Sequence, residues 1–212
     1  MKRTAPALCL LAAISGAKAQ GEGEPGDFDF YVLALSWSPT WCATSEDATR
    51  SRQCEEDADF GFIVHGLWPQ YEAGYPEFCR SDARPSRREI GSVLDLMPDR
   101  GLVAHTWRKH GSCSGLDPQD YFEATRAAFD RVQIPREFVG FASDRSISAQ
   151  AAEAAFVAAN SGLEPSGAAV SCGDGWLEEV RLCLTREFDF RDCDEVDARG
   201  CRQGRLKLPA PQ

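Results

Sequence analysis

FIVHGLWPQ, residues 62–70, is a branched and aromatic run with a histidine at 65 and both a glycine and a proline inside it. With Phe60 and Gly61 before it, the run predicts a strand over 60–65. Gly66 and Pro69 predict the end of that strand in a Gly-Leu-Trp-Pro turn. Upstream, residues 28–37 (FDFYVLALSW) are aromatic and branched enough for a buried strand. Residues 43–59 and 71–86 are polar or rich in Gly and Pro and read as loops. Residues 20–27 are Gly/Glu-rich and read as loose.

Helices are expected downstream over 87–97 and 102–110. A third starts at Asp117-Pro118, an N-cap followed by proline in the first turn, and runs to about Val132. A fourth follows Ser148 to about Asn160, with Gly162 stopping it. Strands are expected again at 168–172, 177–185 and 187–190, with a frayed tail from Pro209. Strands and helices without βαβ regularity predict an α+β fold: a central antiparallel sheet with several packed helices.

The first 19 residues have the layout of a secretory signal. Lys2 and Arg3 give the basic start, Ala5 to Ile14 the apolar middle, and Ala17-Lys18-Ala19 the cleavage site, with Gln20 as the expected mature start. The apolar run is shorter than the roughly 20 residues that a membrane-spanning helix needs. Residues 20–212 are then expected to form a single domain, secreted or periplasmic, with no membrane partner after signal removal. Cys9 leaves with the signal. Eight cysteines remain: Cys42, Cys54, Cys79, Cys113, Cys172, Cys183, Cys193 and Cys201. An even number in an exported chain predicts disulfide staples, whose pairing spacing alone does not fix.

The net charge is −10. Losing Lys2, Arg3 and Lys18 from the 23 Lys and Arg leaves 20 against 33 Asp and Glu, a mature charge of −13. That excludes a protein that coats polyanions with a basic face. It leaves room for an enzyme that grips one or two phosphates in a local cleft.

The three histidines, His65, His105 and His110, all lie in FIVHGLWPQ or in HTWRKHGSC (105–113), which also hold Trp68, Trp107 and Lys109. On a helix at about 100° per residue, His105, Lys109, Cys113, Thr106 and His110 span about 140° and share one face. Trp107 faces the core, and Arg108 lies off that face in solvent. Two imidazoles can divide proton transfer between a base and an acid. A lysine supplies charge where a phosphorane gains it. With an aromatic to stack a base, the set suits cleavage of single-stranded RNA through its own 2′-hydroxyl. No cofactor or metal is needed.

These segments resemble the two active-site signatures of the ribonuclease T2 family. His65, Gly66, Leu67, Trp68 and Pro69 match the first in full. His105, Trp107, Lys109, His110, Gly111, Ser112 and Cys113 match the second, and Ser36-Trp37-Ser38-Pro39 before Cys42 adds to the likeness. The resemblance implies an endoribonuclease giving 2′,3′-cyclic phosphates and then 3′-phosphates. It implies His110 as general base and His65 as general acid, with Lys109 on the phosphorane and His105 on the scissile phosphate. Trp68 would stack on a base, with Gln70 and Tyr75 lining the same pocket. It also implies the pairs Cys42–Cys54, Cys79–Cys113, Cys172–Cys201 and Cys183–Cys193.

One departure stands in the second signature: the family's glutamate after the first histidine is Thr106 here. Threonine keeps a hydroxyl donor but no ionisable group, so Thr106 enters the catalytic set with a reduced rate expected. The alternative is a weakened homologue acting as a secreted RNA-binding or signalling protein. A zinc site at His105, His110 and Cys113 fits no common ligand spacing. The acidic runs 55–57 and 192–197 read as solvated loops. The protein is taken as a monomer that acts on RNA and not on DNA.

A mature charge of −13 leaves few phosphates to neutralise. The affinity for single-stranded RNA should therefore fall only weakly with salt, with a log–log slope of about −0.7 for each phosphate neutralised. Fluorescence titrations between low and physiological salt check this, and a steep slope would contradict it.

Overall fold

The structure, a computed structural model, describes residues 21–211. The signal expected over 1–19 and the mature start at Gln20 lie outside the described residues. The elements run β1 (Gly21–Glu22), β2 (Phe30–Trp37), α1 (Ser38–Thr44), β3 (Phe62–Gln70), β4 (Pro76–Glu77), α2 (Arg87–Gly91) and α3 (Arg100–Lys109). They continue α4 (Pro118–Asp130), β5 (Arg145–Ile147), α5 (Ala149–Ala159), β6 (Ala168–Gly173), β7 (Trp176–Leu184), α6 (Asp194–Ala198) and β8 (Leu206–Leu208).

β2 is the middle of the molecule because nearly all of FYVLALSW is apolar and can be buried on both faces. It pairs antiparallel with β3 on one side and β7 on the other, and β7 pairs antiparallel with β6. A single parallel bridge, Trp176 to Lys207, joins β8, which pairs antiparallel with β5. The sheet is thus mixed by one contact. The fold is the α+β type expected.

One sheet face carries the main core. Leu33, Leu35, Trp37, Val64, Leu67 and Leu182 pack there against Trp107, Tyr121, Phe122 and Phe156 of the helices. The other face has a small cluster of Phe30, Val32, Cys183 and Cys193, with Trp68 and Val196 against it. That thinner face is where the chain leaves space for a cleft.

The disulfides are Cys42–Cys54, Cys79–Cys113, Cys172–Cys201 and Cys183–Cys193, the pairs that the family resemblance implies. Because Cys113 is bonded to Cys79, its sulfur is not a free ligand for a zinc site with His105 and His110.

Several local expectations need correction. The strand does not end at His65 but runs on to Gln70. Pro69 is tolerated because β3 lies at the edge of the sheet, where a missing N–H costs no ladder bond. The helix expected over 87–97 stops at Gly91. Arg126 takes the Ser92 carbonyl and pairs with Asp95, which holds 92–97 as turns. α1 and the short strands β1, β4, β5 and β8 were not legible, being too brief for a periodic signal. Residues 187–190 form a turn, with Phe188 at φ +68° and only Phe190 bridged to Leu184. The tail is not frayed at Pro209, whose carbonyl accepts from Trp37 Nε1 at 3.0 Å. Residues 20–27 are not all loose: Gly26 N–H donates to the Cys113 carbonyl at 2.9 Å.

An edge strand leaves polar backbone groups open, and they need partners when buried. On β3 the Leu67 carbonyl accepts from Tyr121 Oη at 2.7 Å, and the Val64 N–H donates to the Leu96 carbonyl at 2.9 Å. Tyr121 is fully buried. Tyr121→Phe should therefore leave a buried carbonyl short of a donor without opening a cavity, and cost about 1–3 kcal/mol. Urea unfolding with the disulfides intact should show a lower midpoint at unchanged slope.

Candidate active site

His65 is the one residue of β3 inserted between register partners. Leu35 pairs with Val64 and Ala34 pairs with Gly66, so His65 has no partner on β2. Plain alternation would put Val64 and Leu67, three residues apart, on opposite faces. Both are in the main core. The extra residue absorbs the phase difference as a bulge, which bends the strand and re-aims a side chain. The His65 ring lies 5.3 Å from Trp68, edge to face, on the cleft side.

α3 packs beside this edge strand. Thr106 is buried and donates its hydroxyl to the His65 carbonyl at 3.0 Å. That contact satisfies the backbone at the bulge and ties strand to helix. A hydroxyl has one proton to donate, so Thr106 cannot give it to a phosphate at the same time. The Thr106 hydroxyl, expected in the catalytic set, lines the cleft but is engaged with the His65 carbonyl in this structure. Gly66 is required by the same close approach, since a Cβ there would meet Trp68 Nε1 at 2.4 Å and Thr106 Cγ2 at 2.7 Å.

The shared helix face is present as far as Lys109. His110 is the C-cap, and the chain then tightens into a 3-10 turn at Gly111–Cys113. Gly111 permits this, because a Cβ would meet Trp107 at 2.6 Å and Tyr121 at 2.9 Å. Cys113 therefore leaves the helical projection. Trp107 is buried as expected, its Nε1 donating to the Ala83 carbonyl at 3.2 Å.

His65, Trp68, Gln70, Tyr75, His105, Thr106, Lys109 and His110 all line one cleft of about 330 Å³. His110 is buried and stacks on Trp68, with ring centroids 5.0 Å apart and planes 23° from parallel. Its Nδ1 finds no hydrogen-bond partner among the described residues. Burial, then the nearby Lys109 charge, pushes its pKa down to about 3. His105 is exposed and also lowered, by desolvation first and by Arg108 and Lys109 next. Arg108 is exposed as expected, but its guanidinium reaches His105 Nδ1 at 3.1 Å. Arginine only donates, so the neutral His105 carries its proton on Nε2. Lys109 Nζ lies 3.5 Å from Glu77 Oε2. Gln70 is buried and donates to the Pro69 carbonyl at 3.0 Å.

Three site residues escaped the sequence reading. Glu179 of β7 is buried and bonded to His65 Nδ1. Arg181 holds the other oxygen of Glu179, from Nε at 3.0 Å and from a terminal nitrogen at 2.8 Å. Burial raises the Glu179 pKa, but His65 and Arg181 outweigh it and hold the carboxyl down at about 2. The available signal was charge inside an otherwise apolar strand, WLEEVRLCL, where two residues of one face are Glu179 and Arg181. The third is Glu195. The run 192–197 is not all solvated loop, because α6 forms there and Glu195 accepts from the Gly74 N–H at 2.8 Å beside the cleft.

The family model described as Ribonuclease T2 family matches residues 28–193. A ribonuclease of Aeromonas hydrophila is 35% identical over 207 residues, covering 90% of this chain and 88% of that protein. Ribonuclease DdI of Dictyostelium discoideum is 26% identical over 208 residues, covering 88% and 87%. Among solved structures, the S-like ribonuclease trichomaglin superposes with a TM-score of 0.69 at 22% identity, covering 88% of this chain and all of its own. RNase NT, solved in complex with 5′-AMP, superposes with a TM-score of 0.64 at 23% identity, covering 87% and 98%. The fold is therefore the disulfide-stapled α+β fold that these ribonucleases share. The chain belongs to the ribonuclease T2 family.

The lowered His110 has a consequence for stability. In the unfolded chain a histidine titrates near 6.5, and in the folded protein His110 stays neutral down to about pH 3. Between those values the unfolded state binds the extra proton, so stability is present above pH 6.5 and falls as the pH drops towards 3. One proton corresponds to about 1.4 kcal/mol per pH unit. In His110→Gln the slope of unfolding free energy against pH between 4 and 6 should be shallower by about that amount. Urea melts at several pH values read it directly.

Proposed function

We propose that the protein is an exported endoribonuclease that cleaves single-stranded RNA by attack of the 2′-oxygen on phosphorus. The observation that carries this is the pair of histidines flanking Trp68 in one cleft, in opposite surroundings. His110 is buried beside Lys109 and kept neutral, which suits a base. His65 is hydrogen-bonded to a buried carboxylate, which suits a group that holds a proton and gives it up. Titratable groups set apart by their surroundings are the usual basis for dividing acid and base roles.

In the first step His110 takes the 2′-hydroxyl proton and the 2′-oxygen bonds to phosphorus. The bond to the 5′-oxygen breaks, and His65 protonates the leaving oxygen. The product is a 2′,3′-cyclic phosphate. In the second step His65 takes a proton from water, the water oxygen adds to phosphorus, and His110 protonates the departing 2′-oxygen, giving a 3′-phosphate. Lys109 stabilises the charge on the phosphorane. His105, with its proton on Nε2, donates to a non-bridging oxygen. A base lies against Trp68 and Tyr75, bounded by Gln70. DNA lacks the nucleophile, and both proton carriers are side chains, so the reaction needs no metal.

Thr106 accounts for a lower rate than the family signature implies. No carboxyl follows His105, and the hydroxyl that stands there holds the His65 carbonyl. The retained His65, Lys109 and His110 favour an enzyme over a binding-only homologue. The disulfides and the expected signal favour the periplasm or the cell exterior.

Purified protein incubated with single-stranded RNA and excess chelator should release 2′,3′-cyclic phosphates, and the matching DNA should stay intact. His65→Ala and His110→Ala should each lose about 10²-fold or more in rate, the typical contribution of a placed proton carrier. No cleavage between pH 4 and 8, or loss on chelation, would overturn the proposal.

A further inference from the structure

Beyond the two histidines and the lysine, the structure carries a second layer of contacts behind His65. Glu179 sits on β7, two strands away from β3. Adjacent strands are about 4.8 Å apart, so side chains on β3 and β7 meet only if the strand between them is low. β2 provides that. Ala34 pairs with Gly66 on one side and Arg181 on the other, and Ser36 pairs with Glu179. These two small residues form a trough. Across it the bulged His65 places Nδ1 against Glu179 Oε1, while Ser36 Oγ reaches the same oxygen at 3.4 Å.

The carboxylate has no freedom to leave. Both nitrogens that Arg181 offers go to Oε2, and the Glu179 side chain is 9% exposed. A buried charge trio is weak as a source of stability, because desolvation offsets most of the attraction. Its geometry is better suited to fixing one ring.

We propose that Glu179, anchored by Arg181, is a positioning residue for His65: its carboxylate engages Nδ1 and leaves Nε2 as the atom presented to the substrate. The inference rests on His65 acting as the proton donor described above. A ring held this way has one tautomer when neutral and one orientation throughout. The ring is held from one side by a carboxylate that is itself fixed, so the position of Nε2 does not depend on the substrate being bound.

Two measurements test this. In the wild-type protein without RNA, nitrogen NMR of the histidines, assigned with His65→Ala, should show the neutral His65 ring carrying its proton on Nδ1. A neutral His65 ring protonated on Nε2 would overturn the proposal whether or not Glu179 can be replaced. In Glu179→Gln, kcat on RNA should fall about tenfold or more, within the range that placed proton transfer contributes, with KM nearly unchanged, and the preference for the Nδ1 proton should weaken. A variant that melts lower but keeps the wild-type tautomer and kcat would show a merely structural carboxylate and overturn the proposal. If the wild-type protein cleaves no RNA, the assignment of function falls, while the NMR spectra still decide whether Glu179 governs the tautomer of His65.

Discussion

An extra residue in one strand of an antiparallel pair must go somewhere, and in β3 that residue is His65. Two core positions, Val64 and Leu67, must both be buried, and the bulge between them is the way a period-two strand can satisfy both. Everything near the cleft follows from that insertion. The bulged carbonyl needs a donor and takes the Thr106 hydroxyl. That draws α3 close to the sheet edge, which Gly66 permits by having no Cβ. The close approach brings His105, Lys109 and His110 to the same cleft as His65.

The two histidines then acquire different characters from different neighbours. His110 lies at the end of α3, stacked on Trp68 and shut away from water, and its charged form is penalised. His65 stands at the sheet surface against a buried carboxylate. The division between them is set by packing and not by residue type. Thr106 belongs to the same framework. Placed where the family signature has glutamate, it contributes to the join between strand and helix.

The disulfides act at the points where this arrangement would otherwise loosen. Cys79–Cys113 ties the turn after His110 to the loop beyond β4. Cys183–Cys193 joins β7 just past Arg181 to the start of α6, which brings Glu195 beside the cleft. The thin apolar cluster on this face, Phe30, Val32, Cys183 and Cys193, is small for a face that must stay ordered, and the covalent link supplies order that burial does not.

The sequence by itself determined the α+β class, the buried central strand, the caps of α4 and α5 at Asp117 and Ser148, and eight of the residues that line the cleft. These are local matters: apolar periodicity, capping chemistry, and functional residues packed into two short segments. Tertiary structure alone decided how far β3 runs, the burial of His110, the engagement of Thr106, and the partnership of His65 with Glu179 and Arg181. The physical reason is sequence distance. His65 and Glu179 are 114 residues apart, and their meeting depends on strand order, on the register of β2 against both neighbours, and on a one-residue bulge. No window of sequence contains those three facts together, although FIVHGLWPQ contains the misplaced core spacing that makes the bulge necessary.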